Sequence, residues 1–391
     1  MRFRELLAIN ALSIVGNGCL VVQPIVVGAL VDHLGYTERQ AGFVASVELA
    51  GLAVAFVLLF AVAHRINRSV LAYAGIATVV IANIAACFIH QFVYMALVQF
   101  VVGMGCSMSF SAYLTIGAAE EHPENLFAIV NAVSIAYSGL FLPIAPAIVT
   151  AWQLPGIFLT LVVIAIVASA TIPWLPAALP QPAAPAHLSK GLRSSAPLLS
   201  AHVIMVLLMM LFLYTGHGAV WAYQERIGVS LGMPSSVVGK WLGASMLIWG
   251  VIGSMLARVL GMRLGRIWPQ TLSLGISIIA ALLLVFGTTP AIFAFACGLI
   301  ALSWFYGLPY QMGLLAEYDR RGRLNMIGTT MTTSGCALGP AIAAVLVGSV
   351  GHWTVGVLAG ACYLAGLILV LPAAIELARG SPALKQVAAE G

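Results

Sequence analysis

The chain has 391 residues, 62% of them hydrophobic and 7% charged, with a formal net charge of +5. Soluble domains carry about 25% charged residues, so this composition excludes a water-soluble globular protein and places the chain in a lipid bilayer. The basic residues fall as pairs between apolar runs rather than along one surface, which excludes nucleic acid as a partner and assigns them to membrane topology.

A membrane-crossing helix needs about 20 predominantly apolar residues, and runs of that length recur. The first half predicts six spans: Leu7–Val31, Gln40–Ala63, Val70–Ile89, Phe92–Ala118, Leu126–Thr150 and Pro155–Leu175. The start, Met-Arg-Phe-Arg-Glu, imitates a signal peptide, but many spans follow and no convincing cleavage site is present, so it is read as the first span. Pro176–Pro197 then interrupts the apolar pattern with five prolines and a Ser/Gly-rich run, the signature of an extended linker. The second half predicts six more: Leu198–Tyr223, Val237–Leu260, Trp268–Phe286, Ala291–Leu315, Leu324–Val350 and Thr354–Leu377.

The expected fold class is an all-α integral membrane protein with twelve transmembrane helices in two pseudo-symmetric six-helix bundles, residues 1–175 and 198–391, joined by a cytoplasmic linker, 176–197. An even number of spans puts both termini on one side. With the termini inside, only Arg39, Arg226 and Lys240 of the 17 Lys and Arg residues face outwards, so the positive-inside rule orients the chain with cytoplasmic termini. The halves also repeat motifs in the same order. Gly16-Asn17-Gly18 matches Gly216-His217-Gly218, Arg65-Ile66-Asn67-Arg68 matches Arg263-Leu264-Gly265-Arg266, and Ser138-Gly139 with Pro143 matches Ser334-Gly335 with Pro340. The six cysteines lie inside apolar runs without a Cys-x-x-Cys pair, so they are read as packing residues; no metal and no cofactor is expected.

Six plus six spans, a cytoplasmic central linker and a basic loop after spans 2 and 8 resemble the major facilitator superfamily (MFS) of secondary transporters over essentially the whole chain. That family's loop motif runs Gly-x-x-x-Asp-Arg-x-Gly-Arg; here both copies keep arginines and lack the aspartate. Gln99 stands where the family usually has an arginine ahead of the span-4 glycines, Gly103 and Gly105, and the exporter-type Gly-Pro survives only as Gly339-Pro340. The resemblance implies alternating access by rocking of the two halves, with spans 1, 4, 7 and 10 lining the substrate path. It leaves the subfamily, the substrate and the direction of transport open.

Glu48 is the acid expected to matter most, because it falls roughly 12 Å along span 2 at 1.5 Å per residue, and an ionised carboxylate there costs on the order of 2.5–3.5 kcal/mol unless paired or wetted. It is the leading candidate for proton coupling; the competing reading is a carboxyl held in a helix–helix hydrogen bond. His217, which matches Asn17 in the repeat, is a second titratable candidate and a cavity candidate; the alternative for both is a packed polar residue. Gln99 and Tyr113 in span 4 are further cavity candidates, whereas the neighbouring serines are expected to bond back to their own helix. Trp249, Trp304 and Tyr306 fall near mid-span, where rings can stack on a ligand. No arginine is expected deep in any span, which disfavours substrates with several negative charges. At the inner loops, Arg65, Arg68, Arg263 and Arg266 face Glu120, Glu121, Glu124, Glu317 and Asp319 as a candidate cytoplasmic gate, each exposed pair being weak.

The expected function is a monomeric secondary active transporter of the inner membrane, not an enzyme, that moves a small organic solute with a proton as the coupling ion. A multidrug-type proton-antiport exporter using the same carboxylate is the alternative. A membrane-embedded enzyme lacks its histidine and acid clusters, a phosphate-binding loop for a primary pump is absent, and a non-transporting receptor is the remaining distant class.

Overall fold

The computed structural model describes residues 2–62, 66–117, 123–176, 200–261, 263, 265, 267–318 and 323–380. Among the described residues there is no strand, and the helices follow in the order α1 (Phe3–Leu34), α2 (Glu38–Val62), α3 (Arg68–Ala86), α4 (Phe92–Gly117), α5 (Pro123–Phe141), α6 (Ala145–Ser169), α7 (Ala201–Ser230), α8 (Ser235–Leu260), α9 (Ile267–Phe286), α10 (Pro290–Tyr318), α11 (Arg323–Val350) and α12 (Trp353–Gly380). Eleven helices among the described residues are long and apolar enough to cross a membrane, and the apolar part of α5, Ile129–Phe141, is shorter. Helices are the expected solution, because hydrocarbon offers no partner for a backbone N–H or C=O outside the helix. The fold is therefore the all-helical membrane architecture that the composition requires.

Three places show how the sequence shapes these helices. Around Pro143, which has no N–H to donate, the chain loosens but keeps turning, with Leu142 N donating to Ser138 O at 3.0 Å and Ala147 N to Ile144 O at 3.0 Å. The true break comes at Gln153, whose φ of 54° and ψ of −154° divide α6 into 145–152 and 154–169. That reversal falls between the expected end of span 5 at Thr150 and the expected start of span 6 at Pro155. In α8 a π-helical turn, Ser245–Gly250, interrupts the α-helix, the kind of local widening that often accompanies a functional element. Third, α7 runs to Ser230 instead of stopping at Tyr223, carrying Gln224, Glu225 and Arg226 as buried helical residues.

The chain groups into two compact units. Unit 1 contains Met1–Val22, Val47–Tyr137 and Ile148–Pro197, and unit 2 contains Gln23–Ser46, Ser138–Ala147 and Leu198–Gly391. Unit 1 is built on backbone-to-backbone crossings: a Cβ on Gly51 would strike the Phe100 carbonyl, and one on Gly103 the Glu48 carbonyl, so α2 and α4 touch through glycine. In unit 2, α11 meets α7 the same way: a Cβ on Gly335 would stand 2.6 Å from the Leu211 carbonyl oxygen, and one on Gly339 would strike that of Thr215. Small residues allow the close approach on which helix packing in a bilayer depends.

Candidate functional site

In unit 1, the α2–α4 crossing fixes Glu48. It is 6% exposed and has no hydrogen-bond or ion-pair partner among the described residues. The ionisable groups facing it are the thiols of Cys106 on α4 and Cys19 on α1. Both thiols line a cavity of about 10 Å³, together with Asn83 of α3, whose Oδ1 is buried without a hydrogen-bond partner among the described residues. All six cysteines are free, as expected of packing residues.

Two residues before Cys19 on α1, the half-buried Asn17 donates to Ser13 O at 3.0 Å and to Ser13 Oγ at 3.3 Å, while Ser13 Oγ shares a 3.2 Å hydrogen bond with Ser134 Oγ of α5. Tyr113, 4% exposed, turns its hydroxyl towards Ser13 and packs its ring on Phe110 at 4.8 Å. Asn17 and Tyr113 are thus brought together, with Ser13 between them. Gln99 is buried on α4 and reaches only the Met95 sulfur, at 3.9 Å. Ser109 bonds back to Gly105 O at 3.2 Å as the span-4 pattern predicts, whereas Ser107 Oγ is buried without a partner among the described residues.

In unit 2, His217 sits in a closed aromatic setting and is 1% exposed. Its Nδ1 lies 3.0 Å from Leu213 O, its Nε2 3.5 Å from Ser303 Oγ, and its ring is flanked by Trp304 at 5.0 Å and Tyr363 at 5.1 Å. Tyr214 closes the cluster and donates to Gln311 Oε1 at 3.2 Å. The aromatic set expected from the sequence divides here. Trp304 joins His217, Trp249 packs instead on Phe295 at 5.5 Å beside Gly298, and Tyr306 pairs with Tyr310 at 5.2 Å. Tyr363, Ser303 and Gln311 were not singled out by sequence, since nothing in an apolar run marks which polar residue turns inward.

Unit 2 also holds a charge cluster that sequence reasoning missed. Arg226, 6% exposed, donates Nη1 to Asp32 Oδ1 at 2.7 Å and Nη2 to Asp32 Oδ2 at 2.8 Å, a bidentate fork. The same guanidinium donates Nε to Glu225 Oε2 at 2.6 Å and Nη2 to Glu225 Oε1 at 3.0 Å, and Glu225 is only 1% exposed. Gly28 makes the space, since a Cβ there would collide with the Glu225 carboxylate. Arg226, read from the sequence as an outward-facing charge, is thus buried together with Glu225 in the last turns of α7. The single Arg226 guanidinium hydrogen-bonds both carboxylates and offsets one of their two charges, which makes burial of Glu225 in α7 tolerable. Nearby, Tyr223 Oη donates to Glu38 O at 2.8 Å and His352 Nε2 lies 2.8 Å from Glu38 Oε1. The His352–Glu38 pair is 24% and 28% exposed, so Glu38→Gln should lower stability by less than about 1 kcal/mol, read as a small change in the melting temperature of detergent-solubilised protein.

Of the candidate gate residues, Arg65, Glu120, Glu121, Arg266 and Asp319 lie outside the described residues, and the side chains of Glu124 and Glu317 are likewise not described. Arg68 opens α3 and Arg263 is exposed after α8. No group of three or more metal-ligating side chains occurs among the described residues.

Among the described residues, these features define a polytopic, all-helical membrane protein with a buried carboxyl, Glu48, that has no partner and an Asp32–Arg226–Glu225 ion cluster. The chain matches the profile of the Major Facilitator Superfamily over residues 6–318 and belongs to that family. Among curated proteins none matches the sequence. Several solved structures share the fold: the nucleoside transporter NupG (12% identity, TM-score 0.73, 94% of this chain and 98% of that one), a D-xylose-proton symporter (15%, 0.69, 95% and 95%) and the peptide transporter POT (13%, 0.73, 97% and 96%).

Proposed function

We propose that the protein is a secondary transporter that carries a small organic solute by alternating access, coupled to proton exchange at Glu48. The observation that carries this reading is the contrast between two buried acids. Glu225 is held by Arg226, whereas Glu48 is 6% exposed with no cation or hydrogen-bond donor assigned to it among the described residues. A carboxyl so placed is stable when protonated and costs free energy when ionised in a dry site. It therefore takes up a proton when its surroundings are dry and releases it when they are wetted, the property a coupling site needs. The D-xylose-proton symporter among the similar structures is consistent with a proton as the coupling ion.

Solute recognition is assigned to the polar and aromatic groups of α1 and α4 in unit 1, Asn17, Gln99 and Tyr113, and of α7, α8 and α10 in unit 2, His217, Trp249, Trp304 and Tyr306. The asymmetry of basic residues supports cytoplasmic termini, and the reading is of a monomer in the inner membrane with two six-helix bundles, 1–175 and 198–391, linked by 176–197. On that topology the Asp32–Arg226–Glu225 cluster fastens the outer ends of α1 and α7, and the loop charges around Arg65, Arg68, Arg263 and Arg266 serve the inner side.

The test is reconstitution into vesicles loaded with a pH-sensitive dye, followed by addition of nucleosides, sugars, aromatic acids and lipophilic cations in turn. A solute-dependent pH change supports the reading, and its sign separates symport from antiport. Solute movement at constant internal pH would overturn proton coupling.

A further inference from the structure

The contacts of α1 with α4 in unit 1 follow one antiparallel register. Ser13 faces Tyr113, a Cβ on Gly16 would stand 2.9 Å from Phe110 Cβ, and Cys19 and Cys106 border the same cavity. Each step moves three residues up α1 and three or four down α4, so these are successive turns of one seam. The surrounding core is apolar, built from residues such as Ile9, Leu12, Val15, Val102 and Ile116. Against that background the seam carries a file of polar groups: Asn10, Ser13 and Asn17 on α1, Tyr113 on α4, and Ser134 and Tyr137 on α5. Tyr137 lies within electrostatic reach of both thiols, and Cys106 within that of Glu48.

We infer that this file conducts protons between Glu48 and the Asn10 end of α1. The inference rests on the reading of Glu48 as the proton-exchanging group. From Cys19 to Asn10 is nine residues, about 14 Å along a helix, a distance no single side chain bridges. The hydroxyls of Ser13, Ser134, Tyr113 and Tyr137 each donate and accept, so each can take a proton on a lone pair while releasing its own. Asn17 cannot relay in this way; its amide donates to the Ser13 hydroxyl at 3.3 Å and holds it in line. At the thiol rung, where hydrogen bonding is weak, the cavity of about 10 Å³ has room for one water, with Asn83 Oδ1 as a ready acceptor. When the Glu48 carboxylic acid gives up its proton, the carboxylate remains and one proton leaves at the Asn10 end, so charge balances at each step. Cys19, Cys106 and Tyr137 are the ionisable groups facing this end of the path, from α1, α4 and α5.

The alternative is that these polar groups only join helices, and kinetics separate the two. The full-length protein in a lipid bilayer is subjected to a pH jump, with no solute needed, while the carboxyl C=O infrared band lost in Glu48→Gln is followed in time. Ser13→Ala and Tyr137→Phe should keep the amplitude of that band and slow its appearance about tenfold, the effect of about 1.4 kcal/mol on a barrier. Ser13→Thr, which restores a hydroxyl, should recover the rate. Ser134→Ala serves as an additional variant if either of the first two fails to fold. If no band is lost in Glu48→Gln, the proton site itself is wrong and the path falls with it. If the band is present but its rate is unchanged in the variants, the path alone is overturned.

Discussion

Replacing Arg226 by glutamine is expected to destabilise the protein by about 3–5 kcal/mol, the usual cost of removing one partner from a buried ion pair. Glu225 would then be left at 1% exposure beside a second carboxylate, that of Asp32. Most of the loss comes from Glu225, because Asp32 is 51% exposed and water screens it. Arg226→Lys should fall in between, since a lysine keeps the charge but not the two-pronged geometry that engages both Asp32 oxygens and Glu225 together. Replacing the cluster as a whole, with Asp32→Asn, Glu225→Gln and Arg226→Met combined, should recover much of the stability, because a buried pair exchanged for neutral groups of similar size is often near neutral. Thermal unfolding of the four proteins in the same detergent checks the order. A triple variant no better than Arg226→Gln would mean that the site depends on packing and not on charge.

The second large effect is expected at Gly103, where even a methyl group is excluded. A Cβ there would overlap the Glu48 carbonyl oxygen and lie 2.9 Å from Leu52 N, both backbone atoms that cannot swing aside. Gly103→Ala must therefore separate α2 from α4, at a cost of about 1–3 kcal/mol or more, and displace Glu48 with the helix that carries it. Gly275→Ala on α9 is the internal control, since nothing lies within 4 Å of its Cβ position. In a helix that exchange is neutral or stabilising by up to about 1 kcal/mol. Equal melting temperatures for the two variants would contradict the close crossing.

Hydropathy alone made the helices legible, because a bilayer demands long apolar runs, and even the reversal at Gln153 falls where Thr150 and Pro155 bracket a break. Glu48 was legible for a related reason: an acid inside an apolar run is conspicuous. The Asp32–Arg226–Glu225 cluster was not, since Asp32 and Arg226 are 194 residues apart in sequence and each sits near the end of an apolar run, where a charge looks ordinary. The adjacent Glu225-Arg226 pair, read together with Gly28 one turn before Asp32, is the signal that would have found it. Likewise the repeat matched Gly16-Asn17-Gly18 to Gly216-His217-Gly218, but Gly16 packs on Phe110 of α4 and Gly216 on Tyr363 of α12. Equivalent glycines permit close approach; which helix approaches is settled by tertiary packing.

The central claim is that Glu48 exchanges the coupling proton, and the most direct measurement compares Glu48→Gln with the wild type in proteoliposomes, using a solute that moves protons in the wild type. Exchange of labelled for unlabelled solute needs no net proton movement, whereas accumulation driven by a pH gradient does. The account predicts that Glu48→Gln still exchanges solute but no longer accumulates it or shifts the internal pH. Gradient-driven accumulation at the wild-type level in Glu48→Gln would contradict it.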